Sequence, residues 1–283
     1  MRVTPGLTPI THPVLPSAQD GGARRLAPAL WIDRVPRPGW LNMAIDRALL
    51  ERAQGGERWL RLYAWDPPCL SFGRHEPAAR RYDRGLVRAL GLAVVRRPTG
   101  GRAVWHAGEL TYALACPAAV LGSLREAYLE IHLVLRDAVR RLGIAAELAS
   151  PAGPAPLDAG ACFSGSAGGE VVAGGRKVVG SAQLREGGAL LQHGSLLLEA
   201  DQAVVRQVTR GSAPPDRSAP LGRLLDRRVT WDQAAAAVDA TAGSRWGPLP
   251  RREHAPAGLL QRAETHGPRF RSPEWTWDGT TGG

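Results

Sequence analysis

The stretch from Cys162 to Ser195, CFSGSAGGEVVAGGRKVVGSAQLREGGALLQHGS, holds a thiol, an amine and an imidazole in one short run of chain. Cys162 stands among small residues that leave it open to a substrate. A free thiol near pKa 8.5 is only a few per cent thiolate at neutral pH, so a nucleophilic cysteine needs a neighbouring cation or helix end. Lys177 is the one lysine of the chain, against 35 arginines. The composition is rich in Ala, Gly, Pro and Arg, and in such a chain Lys gives way to Arg wherever a plain positive charge suffices. An ammonium is compact and can lose its proton, so a retained lysine marks a place that a guanidinium does not serve. At about 4 Å from a thiolate it would contribute about 4 kcal/mol at an effective dielectric near 20, an upper bound of about three pKa units. Cys69 and Cys116 sit inside apolar strand patterns and read as core residues.

The loop Arg97-Pro-Thr-Gly-Gly-Arg102 offers backbone N–H groups to an anion or a carbonyl. It lacks the GK[ST] ending of a phosphate-binding loop and the GxGxxG of a dinucleotide site. His106 and His193 lie in mostly apolar surroundings and read as hydrogen-bonded structural histidines, not bases. No metal-ligand cluster is present, and three unpaired cysteines exclude a disulfide framework. The formal charge of +10 comes from arginines spread along the whole chain, without a nucleic-acid recognition motif. It suits acidic protein partners equally well. No apolar run reaches the length of a membrane span, and no secretory h-region opens the chain, so a cytoplasmic protein is expected.

Short alternating elements must position these groups. Residues 1–28, without periodicity, are expected to form a flexible extension. Apolar spacing predicts a helix over 40–54, stopped by Gly55-Gly56, then strands over 59–63 and 69–72 and a helix over 77–90. A strand over 92–96 runs into the glycine loop, and strands over 102–105 and 109–116 follow. A long helix is predicted over 123–142, with Ser123 as N-cap and Glu126 completing a capping box. A Pro- and Ala-rich linker, 150–158, precedes the cysteine loop, and two hairpins turn at Gly174-Gly175 and Gly187-Gly188. Three short helical pieces then reach residue 242. The expected organisation is a catalytic domain over 29–242 and a short tail over 243–283, with Trp275 and Trp277 as its anchors. The fold class is α/β in the α+β sense, a mixed, largely antiparallel sheet flanked by helices.

Several of these segments together resemble the catalytic domain of the biotin and lipoate protein ligase superfamily. They are Leu41-Asn-Met-Ala-Ile-Asp-Arg-Ala-Leu-Leu50, Leu60-Arg-Leu-Tyr-Ala-Trp with Pro68-Cys-Leu-Ser-Phe-Gly73, and Arg96-Arg-Pro-Thr-Gly-Gly-Arg-Ala-Val-Trp-His106. To these add Gly175-Arg-Lys-Val-Val-Gly-Ser-Ala-Gln183 with Leu191-Gln-His-Gly-Ser195. Within the superfamily the chain is most similar to octanoyltransferases of the LipM type, which carry a Cys-Phe pair before the Gly-Arg-Lys hairpin, as Cys162-Phe163 does here.

The resemblance implies the biotin/lipoate ligase catalytic-domain fold and an acyltransferase of lipoate biosynthesis. Octanoyl would pass from acyl carrier protein to a lysine of a lipoyl-domain or glycine-cleavage H-type protein. Cys162 would hold the acyl group as a thioester, and Lys177 would activate the thiol and help hold the acyl carbonyl. Backbone amides of Gly180-Ser181-Ala182 or Thr99-Gly100-Gly101 would serve as oxyanion donors. Arg97, His106, Gln183, His193 and Gly194 complete the implied substrate-binding set. No cofactor, metal, nucleic acid or membrane enters this reading. ATP enters only if the chain is an ATP-dependent lipoate-protein ligase. An octanoyl amidotransferase between carrier proteins and a non-catalytic binding or regulatory homologue are the other two readings.

Overall fold

The computed structural model describes residues 26–150, 168–213 and 215–280. β1 (Ala29–Ile32) leads into helix α1 (Gly39–Gln54), then β2 (Trp59–Tyr63) and β3 (Cys69–Phe72). Two small helices, α2 (Ala78–Arg81) and α3 (Arg84–Ala89), precede β4 (Ala93–Arg96), β5 (Val104–His106) and β6 (Glu109–Pro117). The long α4 (Leu124–Arg141) and β7 (Ala146–Leu148) follow. After residue 168 come β8 (Val171–Ala173), β9 (Arg176–Lys177), β10 (Val179–Glu186) and β11 (Ala189–Leu197). The chain closes with α5 (Ala203–Val208), α6 (Leu221–Leu225), α7 (Trp231–Trp246), β12 (Arg251–Arg252) and α8 (Leu259–Arg271).

The main sheet has the order β10-β11-β6-β2-β1-β12, antiparallel from β10 to β2 and parallel at β1 and β12. Sheets β4-β3-β5 and β7-β8-β9 flank it. Strand alternation decides what lies on each face. On β6, Leu110, Tyr112, Leu114 and Cys116 pack against α4 and α7, while Ala113 and Ala115 face α1 and α8. The small side chains on the second face let α1 lie close to the sheet, and α8 covers its other side, so α1 is buried nearly all round. Ser123 caps α4 through the expected capping box, with Glu126 Oε2 accepting from the Ser123 amide at 2.7 Å.

Three sequence readings need correction. The helix expected over 77–90 is broken: Tyr82 is extended, and Asp83 N-caps a second helix by accepting from the Leu86 amide. The last of the three helical pieces is a full helix, α7, which runs through the boundary placed at 242/243 to Trp246. The tail carries its own helix, α8, whose signal was masked by Gly267 and Pro268. Its buried residues Leu259, Ala263 and Phe270 nevertheless recur at helical spacing. Residues 1–25 of the expected extension and 151–158 of the linker lie outside the described residues, whereas Leu26 is packed in the core.

Beyond α8, the chain returns to the glycine loop. The Arg96 guanidinium, buried, donates to the carbonyls of Gly73, Arg74 and Glu76 on one side and of Trp275, Thr276 and Trp277 on the other. Trp275 Nε1 donates back to the Arg96 carbonyl at 3.0 Å. Trp275→Ala is therefore expected to cost about 3–5 kcal/mol, from cavity formation and the lost bond. Urea unfolding at neutral pH, read as a lowered midpoint at unchanged slope, measures it.

Candidate active site

The glycine loop after β4 is held in shape by the side chain that precedes it. Arg97 donates to the Ser71 carbonyl and hydroxyl, and to the carbonyls of Gly100 and Arg102. Gly101 has φ +85°, and the backbone at Gly73 approaches so closely that a Cβ there would lie 1.9 Å from the Gly101 carbonyl oxygen. Only glycine fits both demands.

Beneath the loop lies a cavity of about 310 Å³, lined by Met43, Tyr63, Trp65, Val104, Ala182 and Gly194 among others. That is near the lower limit of small-ligand pockets, about 300 Å³. Gly194 keeps it open on the β11 side, since a side chain there would collide with the Gly180 carbonyl and the Ser181 hydroxyl.

Two buried polar networks frame this space. In the first, Asp46 of α1 accepts from Arg61 at 3.2 Å, from the Tyr63 hydroxyl at 2.8 Å and from His193 Nδ1 at 2.8 Å. His193 Nε2 pairs with Thr99 Oγ1 at 2.6 Å, so the network ends in the glycine loop. In the second, Glu109 Oε1 accepts from His106 Nδ1, Thr111 and Ser195 at 2.6–2.8 Å. His106 stacks on Trp65 and pairs through Nε2 with Ser71. Burial pushes the His106 pKa down against the pull of Glu109, so its ring is neutral at pH 7 and Nε2 accepts from the Ser71 hydroxyl.

Lys177 is buried and forms an ion pair with Glu170, also buried. Close by on α4, His132 Nδ1 donates to the Gly169 carbonyl at 2.7 Å. Burial, helped by the Lys177 charge, pushes the His132 pKa down to about 3. The neutral ring has one N–H, spent on Gly169, so Nε2 accepts from the Ser181 hydroxyl at 2.8 Å. Ser181 in turn accepts from Tyr112, and Tyr112 from Gln192. This ordered chain links the Lys177 side of the molecule to a residue that lines the cavity.

Of the residues singled out in the sequence, Arg97, His106, Gly180, Ser181, Ala182, His193 and Gly194 all line the cavity. Thr99 meets it through His193, and Gly100 and Gly101 form the loop above. Gln183 turns away, donating to the Leu124 carbonyl and to Gln192. Lys177 is not among the lining residues. Cys162 lies outside the described residues; the described chain resumes six residues later, at Gly168. Cys69 and Cys116 are buried, and burial raises both thiols, Cys116 to about 12.

Sequence reasoning missed Asp46, Arg61, Glu109, His132 and Glu170. Asn42 and Asp46 stand at i, i+4 on an otherwise apolar helix, a legible sign of a buried polar partner. Glu109 follows His106 by one tight turn. His132 and Glu170 carried no such pattern.

The fold is that of lipoate-protein ligases. It superposes on an ATP-bound lipoate-protein ligase A with a TM-score of 0.76, at 20% identity over 89% of this chain and 99% of that one. The putative lipoate protein ligase Ta0514 of T. acidophilum, with bound lipoic acid, gives 0.74 at 20% identity, over 89% and 98% of the two chains. Residues 38–242 match the lipoyl protein ligase A/B catalytic domain. The octanoyltransferase LipM of Kyrpidia tusciae is 39% identical over 72% of this chain and 75% of its own length. That of Symbiobacterium thermophilum is 38% identical over 74% and 83%, and that of an Exiguobacterium species 34% over 83% and 93%. The chain belongs to the lipoyl protein ligase A/B catalytic-domain family and, within it, to the LipM octanoyltransferases. Among the described residues, no helix is long and apolar enough to cross a membrane.

The buried neutral His132 makes a pH prediction. Its folded pKa lies below the unfolded value of about 6.5, so its contribution is complete above pH 6.5 and is lost as pH falls toward 3, by up to about 1.4 kcal/mol per pH unit. His132→Gln should flatten the acid limb of stability, as measured by urea midpoints between pH 7 and 4.

Proposed function

We propose that the chain transfers an octanoyl group from acyl carrier protein to a lysine of a lipoyl-domain or H-type acceptor protein, through a thioester on Cys162. The observation that carries the reading is the small apolar-walled cavity under the glycine loop, in a chain of this family. Seven CH₂-sized units of acyl chain at about 0.8 kcal/mol each supply most of the affinity.

In the first half-reaction the Cys162 thiolate attacks the donor thioester, forming an enzyme thioester and releasing the carrier thiol. In the second, the acceptor amine attacks that carbonyl; an amide forms, the Cys162 sulfur leaves, and the amine gives up one proton. Thioester to amide is downhill, so the reading needs no nucleotide, metal or other cofactor. Lys177 supplies the positive charge that favours the thiolate and steadies the acyl oxygen. Amides of Thr99-Gly100-Gly101, or those along the outer side of β10, which is the edge strand of the main sheet, are suited to the oxyanion.

Two features support this over the alternatives. The other two cysteines are core thiols with raised pKa, so Cys162 is the thiol left for chemistry. A face of α2, α3 and α5 exposes Arg80, Arg84, Arg88 and Arg206, with Arg210 beside them, suiting an acidic carrier.

The enzyme should octanoylate an acceptor domain from octanoyl-acyl carrier protein without ATP. Cys162→Ala should abolish turnover, and Lys177→Arg should lower it by at least about 100-fold. Turnover that requires ATP and free octanoate or lipoate would assign the chain to the ligase reading. Full activity in Cys162→Ala would overturn the thioester.

A further inference from the structure

We propose that Glu170 is the positioning residue of the transfer reaction: its buried carboxylate fixes the Lys177 ammonium in place and keeps it charged. The inference rests on the reading above, in which Lys177 acts on the acyl group, and adds a residue to which that reading gives no role. Its basis is the ion pair between two buried side chains on adjoining parts of the small sheet.

The backbone at both ends of the pair is anchored. The Glu170 carbonyl accepts from the Ala149 amide at 2.7 Å, and its neighbour Gly169 donates to the Ala149 carbonyl and accepts from His132. Lys177 lies opposite Val172 in the β8–β9 pairing. On its other side, its amide donates to the Arg217 carbonyl and its carbonyl accepts from the Ala219 amide. The lysine backbone is thus held from two directions, and only the flexible side chain is left to be aimed. A carboxylate supplies that aim, and the pair's low exposure makes the interaction strong.

The charged and titratable groups facing Lys177 leave Glu170 as its anionic contact among the described residues. From α4 comes His132, neutral at pH 7. Arg176, next in sequence, donates to the Ser218 carbonyl. From the 216–219 segment, Asp216 is engaged by the amides of Gln202 and Ser218. Glu147 of β7, paired with Val172, is exposed. Without the Glu170 charge, a buried ammonium with a cationic neighbour sheds its proton at lower pH.

The test is the single-turnover rate of acyl-enzyme formation from an octanoyl thioester donor between pH 6 and 9.5. In Glu170→Gln the alkaline limb should move down by about one pH unit or more, so the loss is small at pH 6.5 and at least about tenfold at pH 9. Glu170→Asp should restore much of the wild-type profile. In a Lys177→Met background, Glu170→Gln should cost nothing further, because it acts only through the lysine. A loss of equal size at every pH, an unchanged profile, or full additivity with Lys177→Met would each overturn the assignment. Absence of any acyl-enzyme in the wild type would instead sink the transfer reading itself.

Discussion

The site depends on one buried carboxylate. Asp46 receives a guanidinium, a phenol and an imidazole inside a core where no water can replace any of them. Arg61, fully buried, divides its other donors between Asp33 and Asn42, so its charge is met from β1 and α1 together. Removing one member of such a set leaves a desolvated charge without its counterpart, which is far costlier than never having buried either. The network therefore fixes the placement of α1 against β2 and β11. Through His193 and Thr99 it also sets the height of the glycine loop above the cavity.

The other wall is built differently. The loop has almost no side-chain bulk of its own, and its shape is borrowed from arginines. Arg97 gathers its carbonyls from inside, while Arg96 ties the preceding turn to the three carbonyls of the C-terminal segment. A chain that uses arginine nearly everywhere as its cation has turned two of them into backbone clamps, a task for which five fixed donors suit the guanidinium. The lysine stands apart: buried, with a single carboxylate across from it, and joined to the cavity wall by the neutral His132 and Ser181.

Much of this was legible in the residues. Period-two and period-3.6 patterns placed the main strands and helices, because burial on one face of a strand or helix leaves that trace. The capping box at Ser123 gave an end of α4 directly. The glycine loop and the β10–β11 hairpin were recognisable as chemistry-bearing text, and their residues do converge on one cavity. What failed was what needs distance in sequence. Asp46 and His193 are joined across 147 residues, and nothing local to either announces the other. Glu170 was passed over for a similar reason: an acid in a glycine-rich hairpin looks solvated until the strand pairing turns it toward Lys177. The helix over 77–90 failed locally, since Asp83 accepting from its own third neighbour is worth more there than continuing the first helix.

The central claim is that octanoyl rests covalently on Cys162 between its two carriers. Intact mass of the enzyme after exposure to octanoyl-acyl carrier protein alone, followed by peptide mapping, tests this directly. A single hydroxylamine-labile octanoyl adduct on the Cys162 peptide, formed without ATP, is the predicted result. An unmodified enzyme that still transfers octanoyl when the acceptor is added, or an adduct on another residue, would contradict it.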